Sequence, residues 1–133
     1  MSREEKTEVT GRCFCGAVSY RASQLPEQVE TCYCRDCARA IGSPVTVWAR
    51  FPTRHFRFTG ADPVRFASSP GVVRTFCPHC GSSLTYHTAD GEKVDVSAAT
   101  LDASERFPPT SDGPGAPPWL QVRLRGQSQG ERR

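Results

Sequence analysis

The chain has 133 residues, 37% of them hydrophobic and 23% charged, with a formal net charge of +3. That length and balance suit a single domain, and the absence of any run of about 18 apolar residues argues against a membrane-spanning helix. The positive surplus sits in the last stretch, where Arg123, Arg125, Arg132 and Arg133 meet only Glu131, so the body is neutral and lacks the basic stripe of a dedicated nucleic-acid binder.

Residues 1–10 are polar, have no apolar h-region and read as a frayed lead-in rather than a secretory leader. A chain that is not exported keeps its cysteines reduced, so a cytoplasmic location is expected and metal is favoured over disulfides. From Gly11 onward short strands alternate with turn signals. Val18, Tyr20 and Ala22 alternate with polar residues, as a half-buried strand requires. Residues 36–41 are expected as a short helix stopped by Gly42. Val45, Val47 and Ala49 alternate again, with Trp48 on the opposite face. Residues 56–58 and 64–66 flank the turn at 60–63 and are expected to form a hairpin. Residues 72–76, 84–86 and 94–96 are further strands, and 101–106 a helical turn. Residues 108–118 hold five prolines and two glycines among 11 positions, a composition that argues against packed structure. The organisation expected is a flexible segment over 1–10, a metal-binding domain over 11–109 and a disordered Pro/Gly-rich tail over 110–133.

Seven cysteines fall into three clusters: Cys13 and Cys15; Cys32, Cys34 and Cys37; Cys77 and Cys80. Zinc takes sulfur ligands in a tetrahedron, and a site with four protein ligands is closed whereas one with three keeps an open position. Cys77-Pro78-His79-Cys80-Gly81 has the form of a zinc knuckle. Pro78 pre-sets the turn, and Gly81 can adopt positive φ so that backbone N–H groups fold toward sulfur. The knuckle is expected at the tip of a hairpin between residues 72–76 and 84–86. Cys13 and Cys15, two apart in an extended chain, project to one face and supply the other half of a closed site, with Gly11 and Gly16 permitting the bend. Cys32, Cys34 and Cys37 offer three sulfurs for an open site, where a thiol brought to zinc is deprotonated. Arg35 and Arg39, with Asp36 between them, lie beside this cluster and are candidates to hold a ligand carboxylate. Other readings stay open. The outer four cysteines are otherwise small buried hydrophobes or, at Cys77 and Cys80, a redox dithiol. The middle three are otherwise a second structural site completed by His55, His79 or His87, or a metal-free or redox-active triad.

These residues together resemble the glutathione-dependent formaldehyde-activating enzyme family, which also includes centromere protein V. The resemblance runs from Gly11 to Pro109 through Gly11-Arg12-Cys13-Phe14-Cys15-Gly16, Cys32-Tyr33-Cys34-Arg35-Asp36-Cys37, Arg74-Thr75-Phe76-Cys77-Pro78-His79-Cys80-Gly81 and Ala99-Thr100-Leu101-Asp102. It implies a mainly β, Mss4-like fold stapled by zinc, with short helices. It implies two Zn²⁺ per chain, one structural on Cys13, Cys15, Cys77 and Cys80 and one catalytic on Cys32, Cys34 and Cys37. It further implies a carbon–sulfur lyase acting on a small thiol such as glutathione joined to an aldehyde. The chain departs from the family pattern at Tyr33, where the family usually has His, and after Pro109, where a His-containing strand is missing. The alternative is a non-catalytic zinc module for a protein or nucleic-acid partner, favoured weakly by the arginines after residue 120.

Overall fold

A computed structural model of the protein describes residues 7–117, 119 and 120. Strand β1 (Val9–Arg12) buries Val9 and Gly11 and leaves Arg12 outside. It pairs antiparallel with β2 (Ser19–Ala22), whose Tyr20 and Ala22 are buried as their alternation predicts. The frayed lead-in expected over 1–10 therefore stops short of Val9 and Thr10. Burial of Val9 and the bond from the Asp102 N–H to the Thr10 carbonyl, 3.0 Å, hold this end in the sheet.

Three elements follow that carry part of the site. Strand β3 (Gln28–Cys32) pairs antiparallel with β4 (Thr46–Pro52), and the helix α1 (Arg35–Ile41) lies between them in sequence. The helix ends where expected: Gly42 takes φ 83° and its N–H returns to the Ala38 carbonyl at 2.7 Å, the left-handed cap that glycine accepts without strain. Strand β5 (Phe56–Phe58) then adds to β2, completing a three-stranded sheet in the order β1-β2-β5.

The remaining strands are β6 (Val64–Ser69), β7 (Val72–Phe76), β8 (Ser83–His87), β9 (Lys93–Ser97) and β10 (Ser111–Asp112). With β3 and β4 they form a seven-stranded sheet in the order β10-β3-β4-β9-β8-β7-β6. The expected hairpin between 56–58 and 64–66 does not form: β5 and β6 belong to different sheets. Phe56 and Phe58 pack against the core beside Tyr20, and the Ala61 N–H bonds to the Ala17 carbonyl at 2.8 Å, so the intervening turn carries the chain from one sheet to the other. The helical turn expected over 101–106 reduces to a 3-10 turn at Ser104–Arg106.

The tail expected to be disordered from residue 110 is also corrected in part. Strand β10 pairs parallel with β3, Ser111 opposite Glu30 and Asp112 opposite Thr31. The Thr110 and Gly113 N–H groups bond to the Val29 and Thr31 carbonyls, each at 3.0 Å. Those bonds satisfy backbone groups on an exposed edge of β3 and outweigh the local composition. Residues 121–133 lie outside the described residues.

The core draws Val18, Tyr20 and Ala22 from the small sheet and its loop, and Val29, Ala49, Phe51, Leu84, Val94 and Val96 from the large one, so it sits between them. Because side chains alternate along a strand, the large sheet's other face carries a different set. One row of direct cross-strand neighbours runs Gln28, Arg50, Asp95, Tyr86, Arg74, Phe66. That polar and aromatic row lies on the same side as α1 and becomes the floor of a cleft.

Candidate metal centre and thiolate cleft

The outer cysteines meet at the tips of two turns. The loop after β1 is closed by the Cys13 N–H on the Val18 carbonyl, 2.9 Å, and by the Gly16 N–H on the Cys13 carbonyl, 3.1 Å. Gly16, at φ 86°, permits that bend. Gly11 serves differently: a Cβ there would overlap the Tyr20 ring. The second loop is the tip of the β7–β8 hairpin, as expected. The Cys77 N–H reaches the Ser82 carbonyl at 3.0 Å, and Gly81, at φ 80°, returns its N–H to the Cys77 carbonyl at 2.9 Å.

The sulfurs of Cys13, Cys15, Cys77 and Cys80 all lie within 4.8 Å of one another. Cys13 Sγ is 3.7 Å from Cys15 Sγ, which is 3.8 Å from Cys77 Sγ. Four sulfurs about 2.3 Å from a tetrahedral ion stand roughly 3.8 Å apart, so the set fits a metal before one is added. Backbone donors are already aimed at sulfur: Val18 N–H at Cys13, 3.3 Å, and His79 and Cys80 N–H at Cys77, 3.3 and 3.4 Å. Charge points the same way. The Ser82 hydroxyl and N–H pull Cys80 down to about 5. The Ala17 N–H lowers Cys15, but burial and the three neighbouring sulfurs outweigh it and push that thiol up to about 11. Crowded thiols resist ionising together, and a shared cation removes that conflict. All seven cysteines are free of disulfides. The cluster can hold one metal ion.

The middle cluster lies elsewhere. Cys32 ends β3, Cys34 is the residue before the first turn of α1, and Cys37 is buried on that helix. All three line a cleft of about 590 Å³ with Tyr33, Trp48, Arg50, Arg74, Tyr86 and Asp95. The N–H groups of Cys37 and Asp36 lower the Cys34 thiol. Burial pushes Cys37 up to about 11, opposed by the Arg74 guanidinium and reinforced by Cys32. Among the described residues no second set of three ligand atoms converges as the outer four do, so this triad is a donor set facing one cleft rather than a preformed cage.

The charged groups in the cleft differ from those the sequence suggested. Arg35 and Arg39 do not line it; Arg35 faces the far end of α1 with Gly42 and Pro44. The cation at the cysteines is Arg74, whose Nη2 donates to Cys37 Sγ at 3.7 Å. Arg50 forms a two-pronged pair with Asp95, 2.8 and 3.0 Å. None of the histidines lines the cleft: His55 bonds to Ser23 at 2.9 Å and His87 to Thr85 at 2.8 Å, while His79 sits in the knuckle. Tyr33 Oη donates to Asp112 Oδ1 at 2.6 Å, and Thr31 Oγ1 donates to the same oxygen. The bond to Asp112 raises Tyr33, and the bonds from Thr31 and Tyr33 lower Asp112. Sequence reasoning missed Asp112 because its surroundings read as disordered. It missed Arg74 as a site residue, although period-two alternation along β7 sets Arg74 against the inward Thr75.

The profile of one family, described as glutathione-dependent formaldehyde-activating enzyme, matches residues 8–113. An uncharacterized lyase of Schizosaccharomyces pombe is 26% identical over 92 residues, covering 64% of this chain. The chain spans 61% of that relative's length. A crystal structure of a Rhodobacter sphaeroides protein superposes with a TM-score of 0.64 at 19% identity, over 78% of this chain and 99% of that one, which shows a shared fold. No helix among the described residues is long and apolar enough to cross a membrane.

Proposed function

Because the chain belongs to the glutathione-dependent formaldehyde-activating enzyme family, we propose that it is a zinc-dependent carbon–sulfur lyase for the adduct of glutathione, or another small thiol, with an aldehyde. The observation that carries this reading is the cleft in which Cys32, Cys34 and Cys37 face Tyr33, Arg50 and Arg74. Its volume, about 590 Å³, is of the size that takes a small organic ligand. The structural zinc belongs to Cys13, Cys15, Cys77 and Cys80, whose spacing fits it. Cys32, Cys34 and Cys37 would hold a catalytic zinc, which would supply a position that keeps a substrate thiol in its thiolate form.

The chain's own groups supply the rest. In cleavage, the C–S bond breaks with its electron pair on sulfur, and the adduct's O–H pair becomes the carbonyl bond. The hydroxyl proton must leave as this happens. Tyr33 Oη is hydrogen-bonded to Asp112 Oδ1, so the phenol takes that proton while passing its own to the carboxylate. Trp48 and Tyr86, ring centroids 6.3 Å apart, form an apolar floor that limits water. Arg50 and Asp95 together present both signs of charge to a zwitterionic thiol such as glutathione. The cytoplasm, where glutathione and free thiols coexist, suits such an activity.

The test is exchange between glutathione plus formaldehyde and their adduct, followed by NMR on the zinc-loaded protein. Acceleration by wild type that Cys34→Ser removes is expected. Exchange at the uncatalysed rate across a panel of thiols and aldehydes, with zinc bound, would leave the non-catalytic zinc module as the reading.

A further inference from the structure

Arg74 is a cation with no carboxylate partner among the described residues. On β7 its Cζ stands 4.8 Å from the Tyr86 ring centre, its Nε donates to Ser68 Oγ at 3.3 Å, and its Nη2 donates to Cys37 Sγ at 3.7 Å. Its Nη1 is buried and has no partner among the described residues. No acidic side chain among them lies within ion-pair distance of it, whereas Arg50, Arg12, Arg21 and Lys93 each have one. A partly buried guanidinium costs free energy unless an anion faces it. Asp36 and Asp95 line the same cleft beyond ion-pair distance, and the nearer anionic candidates are the sulfurs of the middle cluster, on Cys37 directly and on Cys32 next to that.

Three thiolates on a divalent ion leave one surplus negative charge, and a single arginine cancels it. We propose that Arg74 is the built-in counter-charge of the Cys32–Cys34–Cys37 site: it fixes Cys37 Sγ by an N–H···S bond and neutralises the metal-bearing triad. Arg74 is thus a positioning residue for the ligands. The inference rests on the proposed reading that this triad binds metal. It adds that the cluster's affinity and the donor strength of its sulfurs are set from β7, the strand that also leads into the knuckle.

The experiment compares wild type, Arg74→Gln and Arg74→Lys in zinc competition against a chromophoric chelator and in Co²⁺ absorption. In Arg74→Gln the second zinc is expected to weaken by about 10- to 100-fold, the range for losing a group that supports a metal ligand, with the ion of the four-cysteine site unchanged. The sulfur-to-cobalt band of the second site should move to longer wavelength, because Cys37 loses its N–H donor. Arg74→Lys keeps the charge and should hold the second zinc within about tenfold of wild type. A second zinc within about twofold of wild type in Arg74→Gln, well below that range, with the band unmoved, overturns the proposal. Should the Gln variant not fold, Arg74→Lys decides: a folded Lys variant that fills the four-cysteine site but has lost the second ion overturns charge compensation. A wild type that binds a single ion would sink the metal-triad reading itself, and this inference with it.

Discussion

Tyr33 and His87 show how single side chains take their chemistry from their neighbours. Tyr33 stands between two cysteines, but its phenol is engaged by Asp112 at 2.6 Å, across the edge made by β3 and β10. Tyr33→Phe removes the proposed proton path and leaves every cysteine in place. Turnover of the adduct is expected to fall about 100-fold, the usual scale for a positioned acid or base, with zinc content by mass spectrometry unchanged. An unchanged rate would exclude the phenol from the proton transfer. His87 lies on the core-facing side of β8, and burial first, then Arg65, lowers its pKa, with Asp95 opposing. A depressed folded-state value means that folding favours neutral His87. Its contribution is full above the unfolded pKa of about 6.5 and is lost as pH falls from there through the lower folded value. Urea midpoints should therefore drop in wild type as pH falls below about 6.5 more than in His87→Gln. Parallel pH profiles for the two proteins would refute that.

At the scale of elements, the four-cysteine centre and the cleft each depend on one short connection. The tip of β7–β8 brings Cys77 and Cys80 to one point through Gly81. The short β10 seals the edge of β3 and delivers Asp112 to Tyr33. Gly113 is the tight point of that seal: an ideal Cβ there would stand 2.6 Å from the Thr31 carbonyl oxygen, closer than real side-chain contacts allow. Gly113→Ala should push β10 from β3 and speed amide exchange at Thr110 and at position 113, while the loops that carry the outer four cysteines stay protected. Equal exchange at those amides in both proteins would show that β10 tolerates the methyl group. The row Arg50, Asp95, Tyr86, Arg74 follows from strand register alone. One slipped residue in any of these strands would turn its member of the row into the core.

At the scale of the whole molecule, the seven cysteines gather in two places, four at one point and three along a cleft. A metal ion shared by Cys15 and Cys77, 62 positions apart, would tie the small sheet to the large one and restrict the unfolded chain. That much was legible in the sequence, because Cys-x-Cys and Cys-Pro-x-Cys-Gly are local signatures whose geometry needs no knowledge of the fold. The alternation in β2 and β4 was legible for the same reason. Partner choice was not. Phe56 and Phe58 favour the core over the nearer Val64 and Phe66, which leaves Phe66 59% exposed on the edge strand β6, and no local pattern encodes that competition. Arg74 and Asp112 became visible only when register and an edge pairing set them beside the cysteines. The central claim is that these cysteines form two separate sites, and native mass spectrometry of zinc per chain, on wild type and Cys34→Ser, tests it most directly. Two zinc ions in wild type falling to one in Cys34→Ser is the predicted result; one zinc in both proteins would contradict it.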